Sequence, residues 1–224
     1  MIFKPVIYDG SLQRQMYPGD VLGGAEIINA TLTTAGSGTI TAAQLTSGIL
    51  SRTGPSGVFT DTTDTATNII AALIANYSYQ QTPVTGISSG NAVQAGLSFR
   101  LRYINTVAFA MTLAAGTGVT IASGNVNASS VKDYLVQVTN GTPAQTFAVT
   151  QTNGSAIITG MTPFQTSLLS VGQLVTGSGL SGNIISIQPG VGVTLSANAS
   201  STLTLNAATF SPTVTMTGIG QGLL

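Results

Sequence analysis

Between Leu97 and Ile121 apolar and polar residues alternate in three short runs. Leu97, Phe99, Leu101 and Tyr103 alternate with Ser98, Arg100 and Arg102. One face of this segment is therefore apolar and the other polar, the signature of a half-buried strand. Asn105-Thr106 interrupts the run, and Phe109, Met111 and Leu113 resume it at the same period. Gly116-Thr117-Gly118 interrupts again before Val119 and Ile121. The pattern predicts three consecutive strands of an antiparallel sheet, the first carrying two of the six basic residues.

Upstream, residues 27–34 and 38–50 read as short strands around Gly36-Ser37-Gly38, followed by a Gly-Pro-Ser-Gly loop at 54–57. Ala66, Ile69, Ile70, Leu73, Ile74 and Tyr77 recur at three- and four-residue spacing, which predicts one helix over about 64–77. Asp61 and Asp64 stand just before it as N-cap candidates. Residues 78–96 show no period and are expected to be a loop. Downstream, Asn125–Ser130 reads as a turn, Tyr134, Val136 and Val138 as a strand, and Phe147 and Val149 as another. Gln151-Thr152-Asn153-Gly154 is the expected domain boundary, Asn-Gly being a turn dipeptide.

Beyond it, apolar segments at 156–161, 168–175, 183–187, 193–195 and 202–205 are spaced by Gly-Ser and Pro-Gly turns, as in a small β sandwich or barrel. The expected class is mainly β: an antiparallel β sandwich or jelly-roll-like domain over 27–150 with one short helix, then a small all-β module over 151–210. Residues 1–26 read as an extended N-terminal arm and 211–224 as a C-terminal tail. In the arm Ile2, Phe3, Val6, Ile7 and Tyr8 are sticky enough to need a partner, either elsewhere in this chain or on a neighbouring subunit.

Composition sharpens this picture. Only 5% of the 224 residues are charged, six basic and six acidic, against about a quarter in ordinary soluble domains. Every charge lies between Lys4 and Asp133. Solubility usually leans on surface charge, so such a chain suits a fixed assembly better than free solution. The net charge of zero argues against nucleic acid as a partner, because such binding needs a basic footprint. The longest aliphatic run, Ile69 to Ala75, is too short to span a bilayer, and Met1–Asp9 does not read as a signal peptide. No membrane partner is expected.

Chemistry is scarce. With no Cys and no His, thiolate chemistry and the commonest general base and metal ligand are missing. Asp61 and Asp64 form the only close acid pair, and helix capping accounts for both. Asp9, Asp20 and Glu26 would gather a cation only if the arm folded back. The Gly-x-Gly turns at 36, 116 and 190 lack the further residues of a nucleotide loop. No enzyme activity, cofactor or metal is expected. Arg100 and Arg102 share a strand face and are candidate contacts between subunits, because charge is otherwise so rare.

Several stretches carry a resemblance. Thr41-Ala-Ala-Gln-Leu-Thr-Ser-Gly-Ile-Leu-Ser-Arg-Thr-Gly-Pro, Phe59-Thr-Asp-Thr, Ala66-Thr-Asn-Ile-Ile-Ala-Ala-Leu, Ser98-Phe-Arg-Leu-Arg-Tyr-Ile-Asn and Leu113-Ala-Ala-Gly-Thr-Gly-Val-Thr together resemble a domain of tailed-bacteriophage virion proteins of the capsid decoration (cement) and head-fibre type. Thr152-Asn-Gly-Ser-Ala-Ile-Ile-Thr-Gly-Met and Leu169-Ser-Val-Gly-Gln-Leu-Val-Thr-Gly-Ser-Gly-Leu are similar to a β module appended to phage structural proteins. The resemblance implies a virion protein on the capsid surface, made in the host cytoplasm, with the major capsid protein as partner, and a homotrimer is expected because a closed ring hides sheet edges and the sticky arm. Its contacts would fall on Ile2, Phe3, Val6, Ile7, Tyr8, Arg14, Tyr17, Arg100 and Arg102. A tail, collar or fibre component is the alternative it leaves open, and an adhesin binding a host surface glycan through the second module is a third.

Overall fold

The computed structural model describes residues 6–9, 12–15, 28–76, 81–83, 91–93 and 95–224. The chain begins with an antiparallel hairpin of β1 (Val6–Asp9) and β2 (Leu12–Gln15), where the sequence predicts an extended arm. Then come β3 (Ile28–Leu32), β4 (Thr39–Ile40), helix α1 (Ala42–Leu45), β5 (Gly48–Arg52), β6 (Phe59–Thr63) and helix α2 (Ala66–Asn76). Strands β7 (Gln81–Pro83) and β8 (Asn91–Val93) pair with each other inside the segment expected to be a loop. After them follow β9 (Ser98–Asn105), β10 (Met111–Ala114), β11 (Val119–Ala122), β12 (Asn125–Val126) and β13 (Ser130–Asn140).

Strand β14 (Gln145–Gln151) opens the second module, followed by β15 (Ile157–Thr159), helix α3 (Pro163–Ser167), β16 (Leu174–Gly177), β17 (Leu180–Gln188), β18 (Gly192–Leu195) and β19 (Leu203–Ser211). Its strands form a closed barrel in the order β14-β15-β18-β17-β16-β19, antiparallel throughout. The last strand, β20 (Thr213–Leu223), returns to the first module. That module, the sheet body, has a six-stranded sheet in the order β11-β20-β13-β9-β5-β3 and a four-stranded sheet in the order β12-β10-β6-β4.

Both sheets are mixed rather than antiparallel. Strands β3, β5 and β9 run parallel, as do β4, β6 and β10, and β11 runs parallel to β20. The three strands of Leu97–Ile121 therefore do not pair with one another. β9 lies between β5 and β13, β10 lies in the other sheet, and β11 edges β20. Period two assigns faces, not neighbours. Phe109 also falls outside any strand. The Asn105 side chain organises the turn there, its Nδ2 donating to the Phe109 carbonyl (2.9 Å) and its Oδ1 accepting from the Val107 N–H (3.2 Å).

The two sheets share one core. Leu50, Leu101, Tyr103, Tyr134, Val136, Val138, Val214 and Met216 from the larger sheet meet Ile40, Phe59, Met111, Leu113 and Val126 from the smaller. Helix α2 adds Ala66, Ile69, Ile70 and Leu73 to it, the face its spacing predicts. Two further helices were not expected. Each begins at a capping box, Thr41 with Gln44 and Thr162 with Gln165, in which the threonine hydroxyl accepts from the glutamine N–H and the glutamine side chain accepts in return.

Two boundaries move. Strand β14, placed by the sequence in the first domain, belongs to the barrel, and Asn153-Gly154 is a turn within it. Residues 211–224 are not a tail. They supply β20, which pairs with β13 along its length and with β11 over its first half. The barrel is thus inserted between two neighbouring strands of the body, whose last paired residues are Asn140 and Thr213. Asn140 braces the crossing, its Nδ2 donating to Ser170 Oγ and the Val171 carbonyl (both 2.8 Å).

Candidate functional site

Strand β9 presents its polar residues on the outer face of the large sheet. Arg102 sits between Ile49 and Asp133 in register, and Asp133 in turn faces Gly220. The guanidinium grips Asp133 in a bidentate pair, Nε to Oδ1 at 2.9 Å and Nη2 to Oδ2 at 3.1 Å. Hydrogen bonding from Arg102 holds the Asp133 carboxyl below the usual carboxylate range against the opposing effect of burial, and the charge of Arg100 adds to it. Arg100 is exposed and makes no ion pair among the described residues. Of the two arginines expected as contacts, Arg102 is therefore engaged within the chain, and Arg100 has no ion-pair partner among the described residues.

Of the arm residues expected as contacts, Ile2, Phe3 and Tyr17 lie outside the described residues. Val6, Ile7, Tyr8 and Arg14 fall on the β1–β2 hairpin, with Ile7 opposite Arg14 and Tyr8 opposite Gln13.

Of the remaining charges of the body, Arg52, Asp61 and Lys132 turn inward. Arg52 on β5 and Asp61 on β6 form an ion pair with no exposed side-chain surface, Nε to Oδ2 at 2.7 Å. Asp61 also accepts from the Tyr103 hydroxyl (2.7 Å) and the Gly38 N–H (2.9 Å). Arg52 spends its other donors on the carbonyls of Leu32, Thr34, Gly36 and Thr53, and its guanidinium lies 4.9 Å from the Phe59 ring centre. Burial, then the Asp61 charge, pushes the Tyr103 hydroxyl far above its ordinary range, so it stays a donor. The cluster ties the larger sheet to the smaller and gathers the 33–38 loop around one cation. Asp61, expected as a helix cap, is a core residue.

Asp64 links both helices of the body. It accepts from the Ala42 N–H that starts α1 (3.0 Å), from the Thr65 N–H (2.8 Å) and from Asn68 Nδ2 (2.6 Å). Burial alone would raise its pKa, but these bonds together outweigh it and lower the value. The cap of α2 is Thr65, whose hydroxyl accepts from the Asn68 N–H (3.2 Å).

Lys132 is a buried cation with no acid paired to it among the described residues. Its ammonium donates to the Ser123 and Asn125 carbonyls and sits 5.5 Å from the Tyr134 ring centre. Burial lowers its pKa.

In the barrel the polar interior is neutral. Gln151 Nε2 donates to the Ser178 carbonyl (2.9 Å) and to Ser201 Oγ (3.0 Å), while its Oε1 accepts from Asn206 Nδ2 (2.8 Å). This knot closes the end of the barrel away from the sheet body.

Among the described residues no group of three or more His, Cys, Asp or Glu side chains could hold a metal, and no helix is long and apolar enough to cross a membrane. Compared with known proteins, the chain matches no family model, no curated protein and no solved structure. What the arrangement offers is surface: an outer sheet face carrying Arg100 and the Arg102–Asp133 pair, and a charge-free barrel with exposed apolar side chains such as Phe164 (63% exposed) and Leu205 (76%).

Proposed function

We propose that this protein is a structural component of a virion, a capsid decoration (cement) protein that binds across junctions between capsid subunits and stabilises the head. The observation that carries the reading is where the chain puts its charge. Arg52, Asp61 and Lys132 are committed to the interior, and the barrel has no charged residue. Apart from Arg100 and the Arg102–Asp133 pair on the outer sheet face, and the partly exposed Asp64, the described surface is left to hydroxyls, amides and scattered apolar side chains, a finish suited to permanent contacts with neighbours. In this reading many copies each add a modest binding free energy, and mass action sums them over the shell. The β1–β2 hairpin and its flanks, with Arg100, would face the capsid, and the barrel would face outward or toward other copies.

The test is binding to emptied heads of the cognate phage, with copy number per virion counted by quantitative mass spectrometry. Saturable binding in many copies is expected, lost when residues 1–24 are deleted. A protein that ignores heads and assembles with tail parts in a few copies per particle overturns the reading in favour of a tail or collar adaptor.

A further inference from the structure

Strand β20 is paired on both sides only at its start. Strand β11 covers Val214 to Thr217, and Ser123 stands beside Gly218. From Gly220 to Leu223 only β13 lies alongside among the described residues, in unbroken register from Asp133–Gly220 to Ser130–Leu223. Among the described residues that leaves an open sheet edge with unpaired backbone donors and acceptors. Such edges are normally guarded by charge, proline or a bulge. Here there is no charge and no proline, and the bulge falls at Ile219, before the regular stretch.

The glycines of this edge differ in what surrounds them among the described residues. Gly218 lies in a crowded place, where a side chain would meet Lys132 Cε at 2.6 Å and displace that side chain. Gly220 and Gly222 are different: an added Cβ would meet nothing within 4 Å, and neither has the positive φ that favours glycine. Glycine weakens a strand, and where the chain itself does not need it, it often marks close approach by another backbone. The flanking Ile219 and Leu223 are exposed, Leu223 at 87%.

The order of residues then names the occupant. Ile219-Gly220-Gln221-Gly222-Leu223 reads apolar, glycine, glutamine, glycine, apolar in both directions. We infer that this edge pairs antiparallel with the same edge of a second copy, across a two-fold axis at Gln221. That register sets Gly220 against Gly222 of the second copy, Gln221 against Gln221, and Ile219 beside Leu223. Like chemistry faces like, no charge opposes another, and the six-stranded sheets of two copies become continuous. The contact joins copies in pairs, unlike the three-fold ring expected from sequence, and it stands apart from the capsid reading. Its area is small, so pairing belongs to high local concentrations, such as those of an array.

Because the chain has no cysteine, one substitution reports the contact. Residues facing each other in an antiparallel pair lie about 4.5–5.5 Å apart at Cα, within disulfide reach. Gln221→Cys, at high concentration under mild oxidation, is expected to form a disulfide-linked dimer about tenfold or more faster than Ser186→Cys on the exposed barrel surface. Leu223→Cys should be slower than Gln221→Cys. Adding Gly222→Lys to Gln221→Cys should return the rate to the control, with unchanged tyrosine fluorescence showing that the fold is intact. Equal rates for Gln221→Cys and Ser186→Cys overturn the inference, and so does crosslinking that persists with Gly222→Lys.

Discussion

Inside the sheet body the buried polar groups include charges, Arg52, Asp61 and Lys132, beside neutral ones such as Asn105, whereas inside the barrel all of them are amides and hydroxyls. The body sets Arg52, Asp61 and Tyr103 at the meeting of its two sheets. The barrel sets Gln151, Asn206 and Ser201 at one end. Topology accounts for the difference. A closed barrel is held together by its own backbone pairing all the way round, so its side chains need only plug an end. Two separate sheets share no backbone hydrogen bonds across the layer between them. A side-chain link must set one over the other, and a buried ion pair punishes misplacement severely, because a lone buried charge is costly. In this protein the buried ion pair serves registration between layers, and such pairs are absent where the backbone already supplies registration.

The contrast can be broken most forcefully at Asp61. Asp61→Asn leaves the Arg52 guanidinium buried without its counter-ion and should cost about 3–5 kcal/mol. All six tyrosines precede the barrel in the sequence, at positions 8, 17, 77, 79, 103 and 134, and Tyr103 and Tyr134 lie in the body core, so tyrosine fluorescence in urea contains no signal from the barrel. Its midpoint should fall sharply while the methyl resonances of Ile158 and Ile184, buried in the barrel, hold. A parallel loss in both modules would show that they do not stabilise independently. The reciprocal cut is Gln151→Ala, which removes the donor to the Ser178 carbonyl and Ser201 Oγ and one acceptor of the Asn206 amide, and should cost about 1–3 kcal/mol. There the barrel methyl signals should weaken at lower urea with the tyrosine transition unmoved.

The smallest effect sharpens the comparison through pH. Asp64 and Asp133 have folded values lowered from the ordinary 3.8. They contribute stability that is present above that value and lost as pH falls through their lowered values. The tyrosine-detected urea midpoint should therefore drop between pH 5 and pH 3. The barrel, with no ionisable side chain, should keep its midpoint. A barrel that weakens in acid as much as the body would refute the division.

Faces were legible in the sequence and neighbours were not. The alternation around Arg100 and Arg102 correctly sets Leu101 and Tyr103 inside, and the spacing from Ala66 to Leu73 correctly marks the buried stripe of α2. Parallel pairing of β5 with β9 and of β6 with β10 depends on strands far apart in the chain, which no local period encodes. Asp61 reads as a cap because it stands before a helix. Its burial follows only once Arg52 and Tyr103 arrive from other strands. The start of the barrel was hidden because Phe147 and Val149 alternate as any strand does, while Asn153-Gly154 marks a hairpin within the module. Helices α1 and α3 were within reach, since Thr41-Ala-Ala-Gln and Thr162-Pro-Phe-Gln are visible capping boxes. In the candidate site, the outward placement of Arg100 and Arg102 was readable, whereas the grip of Arg102 on Asp133 required the β9–β13 register.

The insertion of the barrel between β13 and β20 makes it a cassette. Its entry and exit lie side by side, and the strands that carry them, β14 and β19, are themselves paired from Gln145–Phe210 onward. A two-residue turn joining Asn140 to Thr213 would convert the junction into an ordinary hairpin and leave every pairing of the large sheet in place. Conversely, any compact domain whose ends sit on adjacent strands could be spliced into the same position. The body is then a mounting plate, and what it displays can be exchanged without redesigning how it is held.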